Sequence, residues 1–190
     1  MSRCQCEGVE AMFNPRLVRG SLIRYRKRGP AKTTRLLTDA VRAAGVDGAT
    51  LLDIGGGLGA IEHTLLAAGV ISATDVDASS AYLEAAQEEA TRRGLADRIV
   101  FRKGNFVDLA PEVSEADIVT LDRVLCCYDD MRSLARLSAQ HAKRLYAVVY
   151  PRDEWWSRLF GRIGNVLVSL TRSQFRLFVH PQSEVEGVLR

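Results

Sequence analysis

The sequence contains no apolar run of about 18 residues or more, the length a helix needs to cross a bilayer. Its first residues, "MSRCQCEGVE", lack the charged-then-apolar pattern of a secretory signal. These two absences make a cytoplasmic location the expectation. Cysteine is scarce, with four residues in two tight pairs, Cys4/Cys6 and Cys126/Cys127. A reducing cytosol keeps such thiols unpaired. The pairs could unite as a four-thiolate zinc site, but neither has the usual C-x-x-C spacing, and no metal is expected. Charge of one sign is not in excess either. The formal net charge is +3 and the arginines are spread along the chain, so nucleic acid is not an expected partner. There is no internal repeat and no low-complexity linker.

What is present suffices for one domain: 190 residues, 47% of them hydrophobic, can bury a real core. Residues 1–48 read as a basic helical segment of that same domain. In it "RLVRGSLIRYRKRGP" ends in a Gly-Pro break, and "AKTTRLLTDAVRAAG" is a helix finishing at Gly45. Over 49–190, short apolar runs alternate with helical periodicity. "ATLLDIG", "VISATDVD", "RIVFRKG", "ADIVTLD" and "RLYAVVY" read as strands. "LGAIEHTLLAAG", "SSAYLEAAQEEATRRG" and "DMRSLARLSAQHA" read as helices between them. That order predicts an α/β fold, a doubly wound and mostly parallel sheet with helices on both faces. After Tyr150 come "PRDEWWSRLFGRIGNVLVSLTRSQ", a short strand "FRLFVH", and the first turns of a helix in "PQSEVEGVLR" with Ser183 as its N-cap.

The densest signal is "LLDIGGGLGA", Leu51–Ala60, where four glycines fall within five residues after a strand. Glycines there let the backbone turn sharply and let a ligand approach where a Cβ would collide. The following helix points free N–H groups at that ligand. Two cofactor classes fit. Gly55, Gly57 and Ala60 satisfy the dinucleotide pattern G-x-G-x-x-A, which alone is weak. Asp53, Gly55, Gly57 and Gly59 satisfy D-x-G-x-G-x-G, and in this the chain resembles the class I S-adenosylmethionine-dependent methyltransferases.

The resemblance spans Thr50 to Tyr150 and implies a Rossmann-like methyltransferase fold and S-adenosyl-L-methionine as cofactor. Asp53, a carboxylate inside a strand, is expected to take its donors from the glycine-loop amides. By D-x-S-x-x-x-L, Asp77 with Ser79 and Leu83 is the acid for the ribose hydroxyls, with Asp75 the alternative. Either acid could instead cap the next helix. In "KGNF" the family's acid is replaced by Asn105, whose amide oxygen can still accept from adenine. Phe106 is then either a contact to the adenine ring or plain core. Asp122, at the end of the fourth strand, is implied to face both methyl donor and acceptor.

A sulfonium methyl group is already electrophilic, so the protein's part is to align donor and acceptor and to exclude water. No catalytic triad is visible, as the resemblance leads one to expect. Asp122, Tyr128 and Arg152 are the candidates for orienting the acceptor, with Arg123 and Cys127 as further cavity candidates. His180 is a weaker candidate, His63 reads as surface or packing, and His141 as helix surface. The stretch "WWSRLFGRIGNVLVSL" fits a lid over an apolar acceptor, an extra core helix, or a weak membrane-surface contact. A fainter resemblance to the magnesium-protoporphyrin methyltransferases hints at ligand size alone.

The expected function is transfer of a methyl group to a small, apolar molecule. The alternatives are a binding-only relic of the fold and an NAD(P)-dependent oxidoreductase. The resembling family ends its sheet with an antiparallel pair for which no residues remain here. The strand Leu145–Tyr150 is accordingly expected at an open edge that invites self-association.

Overall fold

The computed structural model describes residues 3–151, 154, 163, 165 and 175–189. Three helices come first: α1 (Arg3–Met12), α2 (Pro15–Arg28) and α3 (Lys32–Ala43). Asn14 caps α2 by accepting from the amides of Arg16 and Leu17 at 3.1 and 3.2 Å, and Pro15 occupies the first helical position. Gly29 leaves α2 at φ 73°, the turn that folds α3 back.

Five strands alternate with helices after that: β1 (Thr50–Ile54), α4 (Ala60–Ala67), β2 (Ser72–Asp77), α5 (Ser80–Arg92), β3 (Ile99–Lys103), α6 (Phe106–Leu109), β4 (Ala116–Asp122), α7 (Met131–Gln140) and β5 (Ala142–Val149). A last helix, α8, runs from Gln182 to Leu189. All strand pairs are parallel, in the order β3-β2-β1-β4-β5. The α/β expectation holds. Among the described residues the sheet has no antiparallel strand, and β5 forms one edge.

One sheet face buries Leu51, Ala73 and Ile118 against Leu37 and Val41 of α3 and Leu65 and Leu66 of α4. The other buries Leu52, Val119 and Leu121 against Leu134 and Ala135 of α7, with Val185 of α8 beside them. Helix α2 lies on α5, where Val18, Leu22 and Tyr25 meet Ala85. Arg26 also reaches Glu89 of α5 at 2.8 Å. Glu89 is fully buried, and the arginines 26, 92 and 93 around it hold its carboxyl well below the usual range.

Two expectations near the C-terminus fail. Residues 175–180 are not a strand, because the segment has no place in the sheet; Phe178 instead donates its amide to the Cys126 carbonyl at 2.7 Å. Ser183 is not an N-cap but lies inside α8, whose first amides, Glu184 and Val185, bond to the Pro181 carbonyl. Arg152 and most of "WWSRLFGRIGNVLVSL" lie outside the described residues, as do the side chains of Cys4 and Cys6. Among the described residues no helix is long and apolar enough to cross a membrane.

Candidate functional site

The strand order reverses between β1 and β4, and in such sheets the crevice at the strands' carboxyl ends is where ligands bind. A cavity of about 620 Å³ opens there. Its floor is the loop after β1 and the turn after β4; its wall is the α2–α3 corner.

The glycines of the loop have different reasons to be glycine. A Cβ on Gly56 would lie 2.5 Å from both Asp75 Oδ1 and Glu62 Oε1, so carboxyls beneath the loop exclude a side chain there. Gly57 is the opposite case. Its φ is 62° and a Cβ would meet nothing closer than 4.0 Å, so the side-chain-free surface faces the open cavity. Gly55 is pressed by Val124 and Gly59 by the His63 ring.

Asp77 ends β2 at the cavity wall and is almost fully buried. Its Oδ2 accepts the Gly57 amide at 3.0 Å and its Oδ1 the Ser79 amide at 2.8 Å. Burial pushes its pKa up, and these amides pull it back. The cap of α5 is Ser79, whose hydroxyl accepts the Tyr82 amide. Asp75 does not line the cavity; it sits under the loop, fully buried.

Parallel register explains what surrounds Asp53. Its neighbours across the sheet are Asp75 on β2 and Thr120 on β4. Thr120 Oγ1 donates to Asp53 Oδ1 at 2.7 Å, so the donor is a side chain of β4 and not the loop amides expected from sequence. Glu62 from α4 completes a buried trio, Asp53, Glu62 and Asp75, for which Thr120 is the one outside side-chain donor in full hydrogen-bond geometry among the described residues. Burial is the main reason that Asp53 is raised to about 7 and the other two well above their ordinary values. A group this poorly solvated keeps its proton near neutrality. Glu62 was invisible to sequence reasoning, since a glutamate in an amphipathic helix ordinarily faces water.

The turn after β4 carries Asp122 and Arg123, both on the cavity. Thr34 of α3 donates to Asp122 Oδ2 at 2.5 Å, and Arg123 holds both carboxylate oxygens at 3.0 and 3.1 Å. Arg123 is at φ 63°, the one non-glycine residue with positive φ among those described. Tyr128 is buried, and its hydroxyl donates to Asn105 Oδ1. Asn105 Oδ1 also accepts the Val107 amide at 3.3 Å, and its Nδ2 donates to Asp108. That oxygen is therefore already engaged by the protein. Phe106 packs into the core edge-on to His141, with its surface also reaching the cavity.

The histidines hold structure. His63 is buried, not on the surface; its Nδ1 is 3.2 Å from the Tyr25 hydroxyl, and burial lowers its pKa to about 4. His141, half-buried at the C-terminal end of α7, lies 3.0 Å from the Ala110 carbonyl and braces the helix there. His180 Nε2 lies 3.0 Å from the carbonyl oxygens of Leu125 and Tyr128, away from the cavity. Cys126 and Cys127 form no disulfide, and their sulfurs are 3.8 Å apart. Among the described residues no group of three or more His, Cys, Asp and Glu side chains is arranged to hold a metal ion.

A parallel α/β sheet with a glycine turn, an acid on the second strand and a cavity at its switch point defines a Rossmann-like ligand-binding domain. Residues 52–144 match the family model described as "Methyltransferase domain", and the fold is that of the class I S-adenosylmethionine-dependent methyltransferases. No curated protein sequence matches the chain. Solved structures do. A protein of Galdieria sulphuraria assigned as a sarcosine dimethylglycine methyltransferase is 16% identical with a TM-score of 0.66, over 83% of this chain and 59% of that one. The magnesium protoporphyrin IX methyltransferase of Synechocystis with bound SAH is 16% identical with a TM-score of 0.62, over 92% of this chain and 70% of that one. The [4+2]-cyclase SpnF is 24% identical with a TM-score of 0.52, over 58% of this chain and 41% of that one. At such identities the likeness is one of fold, and the cyclase shows that the fold hosts other chemistry.

Proposed function

We propose that the protein is an S-adenosylmethionine-dependent methyltransferase acting on a small, apolar acceptor by in-line transfer. The observation that carries this reading is the open face of Gly57, fixed by Asp77 and turned toward the cavity. The cavity size is within the roughly 300–1,000 Å³ usual for small-molecule sites. The residues fit an adenosyl ligand: a side-chain-free turn for its backbone-proximal part, and in Asp77 a carboxylate with lone pairs left for a ribose diol. When bound, the cofactor supplies an electrophilic methyl group.

The chain's residues do the rest. Gly57 and Asp77 seat the cofactor, and Asp122 orients the acceptor from a position clamped by Thr34 and Arg123. Tyr128, its hydroxyl spent on Asn105, positions the strand ends and does not take a proton from the acceptor. The apolar walls around Phe13, Tyr82 and Leu134 exclude water. Residues 1–48 serve as the acceptor-side wall of the same domain, and the outer edge of β5 is a site for self-association, measurable by sedimentation over a concentration series.

Calorimetric titration with S-adenosylhomocysteine and with NADH tests the cofactor. Binding of the first alone is expected; binding of NADH alone would overturn the reading. A cell extract supplied with methyl-labelled donor tests turnover. Cofactor binding without label transfer to any acceptor would leave a binding protein in place of an enzyme.

A further inference from the structure

We propose that the methyl acceptor carries an anionic group, and that Arg24, Arg28 and Arg35 on the α2–α3 wall of the cavity receive it. The inference rests on the methyltransferase reading and extends it to the substrate's chemistry.

All three arginines line the same cavity as Gly57 and Asp77. Arg24 and Arg28 are one helical turn apart on α2. The Gly29 turn then brings Arg35, on the first turns of α3, to the same wall. Other arginines near the cavity have acids, Arg26 with Glu88 and Glu89, Arg92 and Arg93 with Glu89, and Arg123 with Asp122. Arg24, Arg28 and Arg35 have no acid partner among the described residues.

Helix stability does not explain the placement either. Like charges at i and i+4, as at Arg24 and Arg28, repel. Arg35 lies toward the positive end of α3, whose first turn contains no acid and whose cap, Ala31, supplies no side-chain hydrogen bond. Three cations converging without a counter-charge raise the energy of the empty cavity and lower it when an anion enters. Guanidinium groups suit carboxylate, sulfonate or phosphate, which they grip with paired N–H donors.

Two sources could supply that anion, the amino-acid part of the cofactor and the acceptor. One carboxylate is satisfied by one bidentate arginine, and three exceed that need. The cavity's two acids are both engaged within the protein, Asp77 by the Gly57 and Ser79 amides and Asp122 by Thr34 and Arg123, so neither neutralises the three arginines. The lining also includes the apolar Phe13, Ile54 and Val76 and the ring of Tyr82. The acceptor this describes is an apolar body with an acidic head.

The test uses the full chain saturated with S-adenosylhomocysteine and two fluorescent probes of similar size. One is 8-anilinonaphthalene-1-sulfonate, apolar and anionic; the other is N-phenyl-1-naphthylamine, apolar and uncharged. Replacing Arg24, Arg28 and Arg35 together by Gln is expected to weaken the sulfonate at least tenfold. The neutral probe and S-adenosylhomocysteine, the latter by calorimetry, should stay within about twofold. Arg19→Gln, an exposed arginine of α2 outside the cavity, should change none of the three. Equal affinities of the triple variant and the parent for the sulfonate would overturn the proposal. So would a loss of S-adenosylhomocysteine affinity as large as the loss for the sulfonate, which would assign the arginines to the cofactor. A parent chain that binds the sulfonate through these arginines but does not bind S-adenosylhomocysteine would refute the methyltransferase reading instead.

Discussion

The amide of Gly57 donates to Asp77 Oδ2 at 3.0 Å, which joins the turn after β1 to the end of β2. The residue that must lack a side chain and the residue that must carry an acid are thus one unit.

Replacing Gly57 by Leu is expected to abolish measurable S-adenosylhomocysteine binding, a loss of at least a hundredfold. The side chain would project into the open cavity from a backbone at φ 62°. The strain alone costs about 1–2 kcal/mol, which Gly57→Ala isolates. Calorimetry and a thermal melt on both variants separate steric exclusion from destabilisation, and unimpaired binding in Gly57→Leu would show that the ligand lies elsewhere.

Asp77 and Asp75 should behave differently despite sitting two residues apart on one strand. Asp77→Asn turns one acceptor into a donor facing the Gly57 or Ser79 amide. S-adenosylhomocysteine affinity should fall about tenfold or more, at a stability cost of about 1–2 kcal/mol. Asp75→Asn touches no cavity surface and should leave affinity within about threefold. The reverse pattern in a titration would transfer the ribose role to Asp75.

The buried acid trio's contribution to stability should decline as pH rises from about 4 to above 7, opposed between about pH 4 and 6.5 by the rise that buried His63 contributes. Asp53, Glu62 and Asp75 have folded pKa values raised by burial, Asp53 from 3.8 to about 7. The unfolded chain releases these protons first, so the stabilisation is complete below the unfolded pKa and is lost as pH climbs through the folded one. Glu62→Gln should flatten this slope and gain on the order of 2 kcal/mol at pH 8, since the trio shares protons and no member carries its whole shift. Urea unfolding at pH 5, 6.5 and 8 checks it; parallel curves for the two proteins would contradict the assignment.

Tyr128→Phe removes the hydroxyl that Asn105 Oδ1 accepts, while the Val107 amide still occupies that oxygen. A loss of about 1–2 kcal/mol in denaturant is expected, with cofactor affinity unchanged. A large drop in turnover at constant affinity would instead return Tyr128 to the acceptor.

Asp53 shows where legibility stops. The glycine turn after β1 and the strand–helix alternation are local patterns, and both were readable from residue order. The partner of Asp53 was not, because register across a parallel sheet pairs residues 67 positions apart, as with Thr120. Asn105 is similar. Its oxygen looked free for a ligand until Tyr128, 23 residues on, was found to use it. The segment 175–180 has strand-forming residues, yet β propensity expresses itself only where a sheet edge receives it.

Periodicity and turn chemistry, which act between near neighbours, were enough to determine the five strands of the sheet, most helices and the glycine turn at the cavity. The packed structure alone decided which carboxyl lines the cavity and which lies sealed beneath it. It alone also decided which arginines find acids and which three are left facing the cavity. Burial and charge pairing depend on distances between segments remote in the chain, and those distances exist only after folding.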